Sequence, residues 1–316
     1  MHLQAWAVRT RFSGAEKIAV AYSGGADSTA LLNAAATQWP GRVTAIHIHH
    51  GLQAAADDFA RHCEAACIAI NVPFQLVRVD AKNASDESPE DAARKARYAA
   101  LAEKALALGI PVIALAQHAD DQVETLLLAL SRGAGVAGLA GMPAEFERFG
   151  VRFVRPLLGL SAQDIRDELD ASDMAYIHDP TNDDLNYTRN KIRHRLLPAL
   201  AEVFPQYRET FARSARNMAL AQKLLTQAAI KSIAITGSPP KIAALQSLPR
   251  ASQGNVLRHW LKTDFGVTGS EAQMNELLDQ IADCTNRGKC IRLKVSSGFV
   301  ERRGPVLAFS AASAPI

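Results

Sequence analysis

The first 130 residues alternate short apolar runs with longer segments whose apolar residues recur at helical spacing. Short apolar runs predict buried strands, and a period near 3.6 residues predicts helices. The predicted strands are Lys17–Tyr22, Val43–His49, Phe74–Val79 and Val112–Ala116. The predicted helices are Asp27–Ala36, Asp57–Asn71, Pro89–Leu108 and Asp120–Leu130. Because strands and helices alternate, the pattern indicates an α/β fold, a doubly wound parallel sheet with helices on both faces.

The rest of the chain follows a different pattern. Gly133–Leu139 is rich in glycine and predicts a tightly bent loop, and residues 206–236 have a helical pattern that Gly237-Ser238-Pro239-Pro240 ends. A smaller α+β unit is then predicted, with helices near Ala251–Leu261 and Gly269–Asp283 and strands near Ile291–Val295 and Val306–Phe309. We therefore predict a main domain over residues 1–205, a helical linker over 206–236 and a C-terminal domain over 237–316.

Composition narrows the class of protein. The 316 residues are 48% hydrophobic and 21% charged, which is typical of globular domains. No apolar stretch approaches the roughly 20 residues that span a bilayer, and the N-terminus lacks a secretory signal pattern, so we expect no membrane association. The cysteines form neither a CxxC pair nor a zinc pattern, which predicts free thiols in a reducing cytoplasm. They are Cys63, Cys67, Cys284 and Cys290.

Charge is distributed unevenly along the chain. Residues 1–205 contain 20 basic and 25 acidic residues, whereas residues 206–316 contain 15 basic and 7 acidic ones. A basic C-terminal region attached to a mildly acidic core is suited to a polyanionic partner such as RNA or DNA. A basic surface that only aids solubility is the alternative.

The segment Ser23-Gly24-Gly25-Ala26-Asp27-Ser28 joins the first predicted strand to the first predicted helix. Its glycines let backbone N–H groups turn toward an anion, and the helix start adds unpaired donors and a favourable dipole. No lysine follows the glycines, so this is not a Walker A loop. The segment resembles the phosphate loop (PP-loop) of N-type ATP pyrophosphatases. There, Ser23 and Ser28 would donate to phosphate and Asp27 would help to hold Mg2+; an Asp cap on a helix is the alternative.

Two further segments carry polar side chains near this loop. His47 and His49 share one face of the second strand while His50 points away, which favours a polar edge of a nucleotide site over a metal site. Arg94 and Arg97 lie three residues apart and share one helix face. They would neutralise a departing polyphosphate or form a solvated basic face with acidic neighbours, and spacing alone favours the solvated face.

The segment Gln117–Thr125 follows a buried strand and begins a helix, so it faces the same crevice as the phosphate loop. Asp121 and Glu124 form one anionic patch at positions i and i+3. Such a patch can hold Mg2+ or bind an amine cation. Stabilisation of a helix start is the alternative.

Taken in order, these segments resemble tRNA(Ile)-lysidine synthetases. The matching strings are SGGADS, HIHHGL, ARKARY, QHADDQVET, RGAGVAGLAGM, RPLL and DPTNDDLNYTRNKIRHRLLP, which together span residues 18–198. The last string is the most specific to the family. The region from residue 206 resembles the family's helical linker and first C-terminal domain, and the further C-terminal domain of longer members is not expected here.

The resemblance implies a reaction in two steps. ATP, with Mg2+, adenylates the C2 oxygen of the wobble cytidine in an isoleucine tRNA with a CAU anticodon. The ε-amine of free L-lysine then displaces AMP and yields lysidine, which changes the tRNA's codon and amino-acid specificity from methionine to isoleucine. The domain over 1–205 would be catalytic and the domain over 237–316 would bind tRNA. The implied location is the cytoplasm, and the oligomeric state is left open, with a homodimer as one alternative.

The resemblance also implies roles for individual residues. The implied ATP-binding set is Ser23, Gly24, Gly25, Ala26, Asp27, Ser28, His47 and Arg94, with Asp27 also holding the metal. The implied catalytic residues are Asp27, His118 and Asp121, and the implied lysine-binding residues are Asp121 and Glu124. The implied tRNA contacts are Arg97, Asn190, Arg193 and Arg195. Residue 117 departs from the family, because Gln117 stands where glycine is expected and would crowd the site around His118.

Three other classes of protein fit parts of this pattern. A thiolating tRNA enzyme would need cysteines for sulfur transfer or an iron–sulfur cluster, and no CxxC pair is present. A small-molecule synthetase, such as one for NAD, GMP or argininosuccinate, would leave the basic C-terminal region without a use. A non-catalytic RNA-binding module would not require the three acidic residues Asp27, Asp121 and Glu124.

Overall fold

The computed structural model describes residues 16–49, 56–79, 89–171, 174–284 and 290–311. The chain separates into two compact units, Met1–Asn217 and Met218–Ile316. The division falls within the long helix predicted as a linker, and the predicted boundaries after residues 205 and 236 stay predictions. Within the described ranges, no helix is both long enough and apolar enough to cross a bilayer.

The first unit is built around a six-stranded sheet. Its strands are β1 (Ile18–Ala21), β2 (Val43–His49), β3 (Phe74–Arg78), β4 (Val112–Ala114), β5 (Glu145–Arg148) and β6 (Val151–Val154). Their order in the sheet is β3-β2-β1-β4-β6-β5, and every pair is parallel except β5 with β6. The two central strands, IAVA and VIA, are almost wholly buried because helices cover both faces. The predicted doubly wound α/β fold is confirmed.

Helices connect these strands. They are α1 (Ala26–Gln38), α2 (Ala56–Ala69), α3 (Pro89–Ala107), α4 (Ala119–Ser131), α5 (Val136–Leu139) and α6 (Ala162–Ala171). Each of the four predicted helices is present within about two residues of its predicted bounds. The glycine-rich stretch contains the single-turn helix α5 rather than only a loop. The backbone N–H of Leu139 donates to the carbonyl oxygen of Gly135 and closes this turn.

The hairpin of β5 and β6 was not predicted. Its turn consists of Phe149 and Gly150, whose φ angles are +52° and +74°, and a pair of positive φ angles matches the twist of a tight hairpin. Within the hairpin, Phe146 of β5 stacks on Phe153 of β6 with ring centroids 5.2 Å apart. Strand β6 then extends the parallel sheet beside β4.

The chain then forms a short 3-10 turn, Pro180–Asp183, and the helix α7 (Thr188–Lys191). A π-helical turn, Ile192–Leu196, leads without a break into α8 (Leu197–Val203). The long helix α9 (Tyr207–Thr236) follows and crosses the division between the two units. A helical run over 206–236 was predicted, and α9 confirms it.

After α9, the described residues of the second unit form three helices and a small antiparallel sheet. The helices are α10 (Ile242–Gln246), α11 (Arg250–Phe265) and α12 (Glu271–Ala282), and the strands are β7 (Arg292–Val295), β8 (Gly298–Arg303) and β9 (Val306–Ala311), in the order β7-β8-β9. Its core is built on Trp260, Leu257 and Leu277, each at most 1% exposed. The α+β prediction is confirmed, although strand β8 was not predicted.

Candidate active site

The phosphate loop, Ser23–Ser28, lies between β1 and α1, where the order of the sheet reverses direction. Ligands of such sheets bind at this point, outside the carboxyl ends of the strands. Gly24 has φ = +84°, and a Cβ there would lie 2.8 Å from Cys63 Sγ and 3.0 Å from Ile177 Cδ1. Both the backbone conformation and the lack of space therefore require glycine at this position.

The two serines of the loop brace each other. Ser28 Oγ accepts a hydrogen bond from Ser23 N at 3.2 Å, lies 3.0 Å from Ser23 Oγ and donates to Gly25 O at 3.0 Å. The first backbone bond of α1 runs from Thr29 N to Gly25 O. The N–H groups before Thr29 thus have no intrahelical acceptor and form a cradle for an anion. The predicted contacts of Ser23 and Ser28 with phosphate remain predictions.

A buried histidine connects the phosphate loop to the end of β4. His118 is 3% exposed, and its Nε2 lies 3.6 Å from Asp27 Oδ2 and 3.5 Å from Asp121 Oδ2. The Asp121 carboxylate also accepts from the backbone N–H of His118 at 3.1 Å, which caps the start of α4. The structure therefore brings together Asp27, His118 and Asp121, the three residues predicted to be catalytic.

The environment of His118 favours its charged form. Burial lowers the pKa of His118, but the carboxylates of Asp27, Asp121 and Asp120 outweigh burial, so the pKa is raised above its ordinary value. Nδ1 of the ring is buried without a hydrogen-bond partner among the described residues, and Asp120 Oδ2 lies 3.9 Å from it. The three carboxylates thus favour a proton on this imidazole next to the phosphate loop.

The predicted anionic patch is present, and arginines contact it. Arg193 Nε donates to Glu124 Oε1 at 2.8 Å, and its Nη2 donates to Glu124 Oε2 and to Asp121 Oδ1, each at 3.2 Å. Arg189 Nε lies 3.5 Å from Glu124 Oε2. Burial raises the pKa of Glu124 and outweighs the effect of Arg193 and Arg189. The patch that was predicted to bind an amine is therefore chemically suited to a cation and is paired with guanidinium groups here.

Other predicted site residues lie around this centre. His47 is buried, its Nδ1 lies 2.9 Å from Tyr22 O, and burial lowers its pKa. Arg94 and Arg97 are exposed on α3, and the Arg97 guanidinium lies 6.0 Å from the Tyr98 ring centroid. Arg195 is exposed on the π-helical turn. Their ATP and tRNA contacts remain predictions, and His50 lies outside the described residues.

Asn190 has a different environment from the one expected for a residue that faces tRNA. It is 8% exposed, and its Nδ2 donates to the carbonyl oxygens of Thr181 and Asp184, each at 2.9 Å. These two bonds hold the loop before α7 in shape. Asn190 therefore organises the segment that carries the basic residues, and its predicted contact with tRNA remains untested.

Arg155, directly after β6, was not singled out individually from the sequence. It is 7% exposed; its Nε donates to Gln117 Oε1 at 2.9 Å and its Nη1 to Pro143 O at 2.6 Å. Its guanidinium also lies over the Phe146 ring, 4.7 Å from the centroid. Gln117, which was expected to crowd the site, instead accepts a hydrogen bond from this buried cation. The string RPLL was the only sequence signal for this residue.

The described residues contain no cluster of three or more His, Cys, Asp or Glu side chains arranged to hold a metal ion. Asp27 offers one carboxylate at the start of α1, and its side chain is 42% exposed. Mg2+ commonly binds one or two carboxylates together with waters and substrate phosphates. The residues present therefore fit a magnesium ion that arrives with a nucleotide, and Asp27 would be its protein ligand.

A family model described as a PP-loop domain matches residues 3–200, and one described as the TilS substrate binding domain matches residues 241–304. With the fold and the phosphate loop, the first match defines a PP-loop ATP pyrophosphatase. A tRNA(Ile)-lysidine synthase from Polaromonas naphthalenivorans is 58% identical over 94% of this chain and 90% of its own length. The chain belongs to the tRNA(Ile)-lysidine synthase family, whose members are ligases with an ATP-using PP-loop domain.

Relatives differ in length. The tRNA(Ile)-lysidine synthase of Burkholderia pseudomallei is 42% identical over 84% of this chain, but the match spans only 55% of that protein. Among solved structures, the U34-tRNA thiolase NcsA from Methanococcus maripaludis, solved with its 4Fe–4S cluster, superposes with a TM-score of 0.54 at 16% identity. That match covers 64% of this chain and 72% of the thiolase. At this identity the similarity concerns the fold alone.

Proposed function

We propose that this chain uses ATP to join lysine to C2 of the wobble cytidine of an isoleucine tRNA with a CAU anticodon. The cytidine is first adenylated at its C2 oxygen, with release of pyrophosphate, and the ε-amine of lysine then displaces AMP. The observation that supports this most is the meeting of the phosphate loop, His118 and the Asp121–Glu124 patch at one edge of the sheet. Family membership supports the same assignment.

The first step requires neutralisation of charge on the departing pyrophosphate. The phosphate loop supplies backbone N–H groups, Asp27 would hold Mg2+, and Arg94 would add a guanidinium from α3. Mg2+ polarises the phosphoryl oxygens when it is bound. The carboxylates around His118 raise its pKa and so favour a charged imidazole beside this region, and His118 Nε2 lies 3.6 Å from Asp27 Oδ2.

The second step requires a neutral amine next to the activated carbon. A carboxylate beside the amine binds its ammonium form and then accepts a proton as the C–N bond forms. Asp121 is the more accessible of the two candidates, since its side chain is 20% exposed whereas that of Glu124 is 0% exposed. We therefore assign proton acceptance to Asp121 and the binding of positive charge to both residues.

The cysteines support lysine transfer over sulfur transfer. Cys63 packs against the phosphate loop, but it and Cys67 are buried, and burial raises the pKa of each thiol to about 12. A thiol with so high a pKa is a poor nucleophile at neutral pH. The other two cysteines, Cys284 and Cys290, belong to the second unit.

The test is incubation of the full chain with ATP, Mg2+, labelled lysine and an isoleucine tRNA transcript. We expect label in the RNA and one AMP released per lysine joined. The matched control is the same transcript with uridine at the wobble position, which should remain unlabelled. ATP–pyrophosphate exchange at full rate without any RNA would contradict the proposed acceptor.

A further inference from the structure

The guanidinium of Arg193 already occupies the cation site formed by Asp121 and Glu124. Arg193 contacts both oxygens of Glu124 and one oxygen of Asp121, at 2.8 to 3.2 Å. A two-point guanidinium–carboxylate contact is among the stronger ionic contacts in proteins. An ammonium group that used the same oxygens would have to replace this guanidinium.

Charge balance leads to the same conclusion. The two carboxylates of Asp121 and Glu124 face two guanidinium groups, those of Arg193 and Arg189. The patch therefore offers little net negative charge to an incoming ammonium. Because the Glu124 side chain is completely buried, water cannot stabilise an additional cation beside it. Lysine would bind weakly at this patch as long as Arg193 remains there.

The position of Arg193 in the chain allows it to leave. It lies in the π-helical turn Ile192–Leu196, and such turns are rare and occur frequently at functional sites. Its side chain is 35% exposed, so part of it is in contact with solvent. Lys191 and Arg195, two residues before and after it, are exposed as well. This short basic segment is suited to an RNA phosphate.

We propose that Arg193 occupies the lysine site until RNA arrives. An RNA phosphate attracts the guanidinium away from Glu124 and Asp121, and the lysine ammonium then takes its place beside the two carboxylates. RNA binding therefore precedes tight lysine binding. This inference depends on the proposed function for its two ligands, and it assigns Arg193 as the positioning residue that couples them.

Coupling of this kind is reciprocal and measurable. Two ligands coupled through one switch change each other's affinity by the same factor, commonly about 5- to 150-fold. We expect RNA to lower the lysine Kd at least about 10-fold, which lies within that range. Saturating lysine should tighten RNA binding by the same factor.

The experiment is equilibrium dialysis of labelled lysine against the full chain, with and without the isoleucine tRNA transcript and without ATP. Wild-type protein should bind lysine weakly alone and about 10-fold or more tightly with RNA. Arg193→Gln should bind lysine without RNA about as tightly as wild-type protein does with RNA. Arg193→Lys keeps a cation near the carboxylates and should remain weak without RNA.

The matched control is Arg166→Gln, which removes a charge at an exposed side chain of α6. Its lysine Kd without RNA should equal that of wild-type protein. If Arg193→Gln does not fold, as judged by circular dichroism, the lysine Kd of wild-type protein with and without RNA tests the proposal by itself, because that measurement needs no variant.

Two results would overturn the inference while the proposed function stands. One is equal lysine affinity of wild-type protein with and without RNA, in a preparation that incorporates lysine when ATP is added. The other is a folded Arg193→Gln protein that binds lysine without RNA no better than wild type. Absence of lysine incorporation by wild-type protein would instead contradict the proposed function.

Discussion

Asp120 and Asp121 are neighbours at the start of α4, yet their carboxylates face different surroundings. Asp120 is 4% exposed and accepts from Tyr207 Oη at 2.9 Å, Arg208 Nε at 2.6 Å and Ala162 N at 2.8 Å. Asp121 faces the crevice, where it contacts His118 and Arg193. Consecutive helix residues point about 100° apart. One carboxylate therefore joins α4 to α6 and α9, and the other belongs to the proposed site.

The two neighbouring carboxylates therefore have different roles. The donors to Asp120 belong to the framework of the first unit, and they hold its pKa below the ordinary value although burial alone would raise it. Besides the backbone N–H of His118, Asp121 contacts the side chain of Arg193, which a substrate can replace. The first arrangement contributes to stability, whereas the second can bind a ligand. Substitutions that affect only stability or only activity test this distinction.

The largest effect is expected for Asp27→Ala, which removes the proposed metal ligand from the crevice. Turnover should fall about 10³-fold, the upper range for the loss of one group that stabilises a transition state. Because the side chain is 42% exposed, the melting temperature should change little. Label transfer to tRNA and thermal unfolding are measured on the same preparation. Wild-type turnover in a folded variant would refute the role of the phosphate loop.

Asp120→Asn should have the opposite profile. Removal of one partner of a buried ionic contact costs about 3 kcal/mol, which lowers the melting temperature by roughly 6–12 °C in a domain of this size. Turnover at a temperature where the variant is folded should fall far less than in Asp27→Ala, because Asp120 acts on the site only through His118, whose Nδ1 lies 3.9 Å from Asp120 Oδ2. Asp167→Asn, an exposed aspartate on α6, is the control for stability. Loss of turnover without loss of stability would place Asp120 in the catalytic site.

Asp121→Asn should raise the KM for lysine about 10-fold, since a contact to a charged group contributes roughly 1.5 kcal/mol. The KM for ATP should not change. Asp120→Asn is the neighbouring control, and its KM for lysine should equal that of wild-type protein. If both variants show the same KM, Asp121 does not bind lysine.

The smallest effect concerns pH. The pKa of Asp120 in the folded chain lies below 3.8, its ordinary value. Its contribution to stability is therefore complete above that value and is lost as pH falls through the folded-state pKa. Urea unfolding of wild-type protein and Asp120→Asn should differ by a constant free energy from pH 5 to 7, and the difference should shrink below about pH 4. A difference that grows on acidification would contradict this assignment.

Much of the fold could be predicted from local patterns. The first four strands and the helices between them are apolar at regular periods, so their positions follow from the sequence alone. The β5–β6 hairpin was missed because Glu145–Arg148 is a partly exposed edge strand in which three of the four residues are charged. Its turn, Phe149-Gly150, gave a weak signal because phenylalanine rarely adopts a positive φ.

The site could be predicted in part. Local sequence identified the phosphate loop and the acidic patch, because each consists of residues close together in the chain. The contact of Arg193 with Glu124 spans 69 residues, and that of Arg155 with Gln117 spans 38. A single sequence shows each of these arginines only as a charge beside a helix or strand. Which carboxylate faces a permanent donor and which faces a replaceable one depends on tertiary packing.

The π-helical turn between α7 and α8 has a consequence for insertions and deletions. A π-helical turn contains about one residue more than an α-helical turn, so it acts as a one-residue insertion within a helix that otherwise runs from Thr188 to Val203. Deletion of one residue from Ile192–Leu196 would restore regular α-helical geometry and leave α7 and α8 in their present relative orientation, because the turn absorbs the extra residue. An insertion of one residue within α8 would instead rotate the residues after it by about 100°. The turn is therefore the place where the length of this helix can change by one residue, and only its own side chains, Arg193 among them, would change direction.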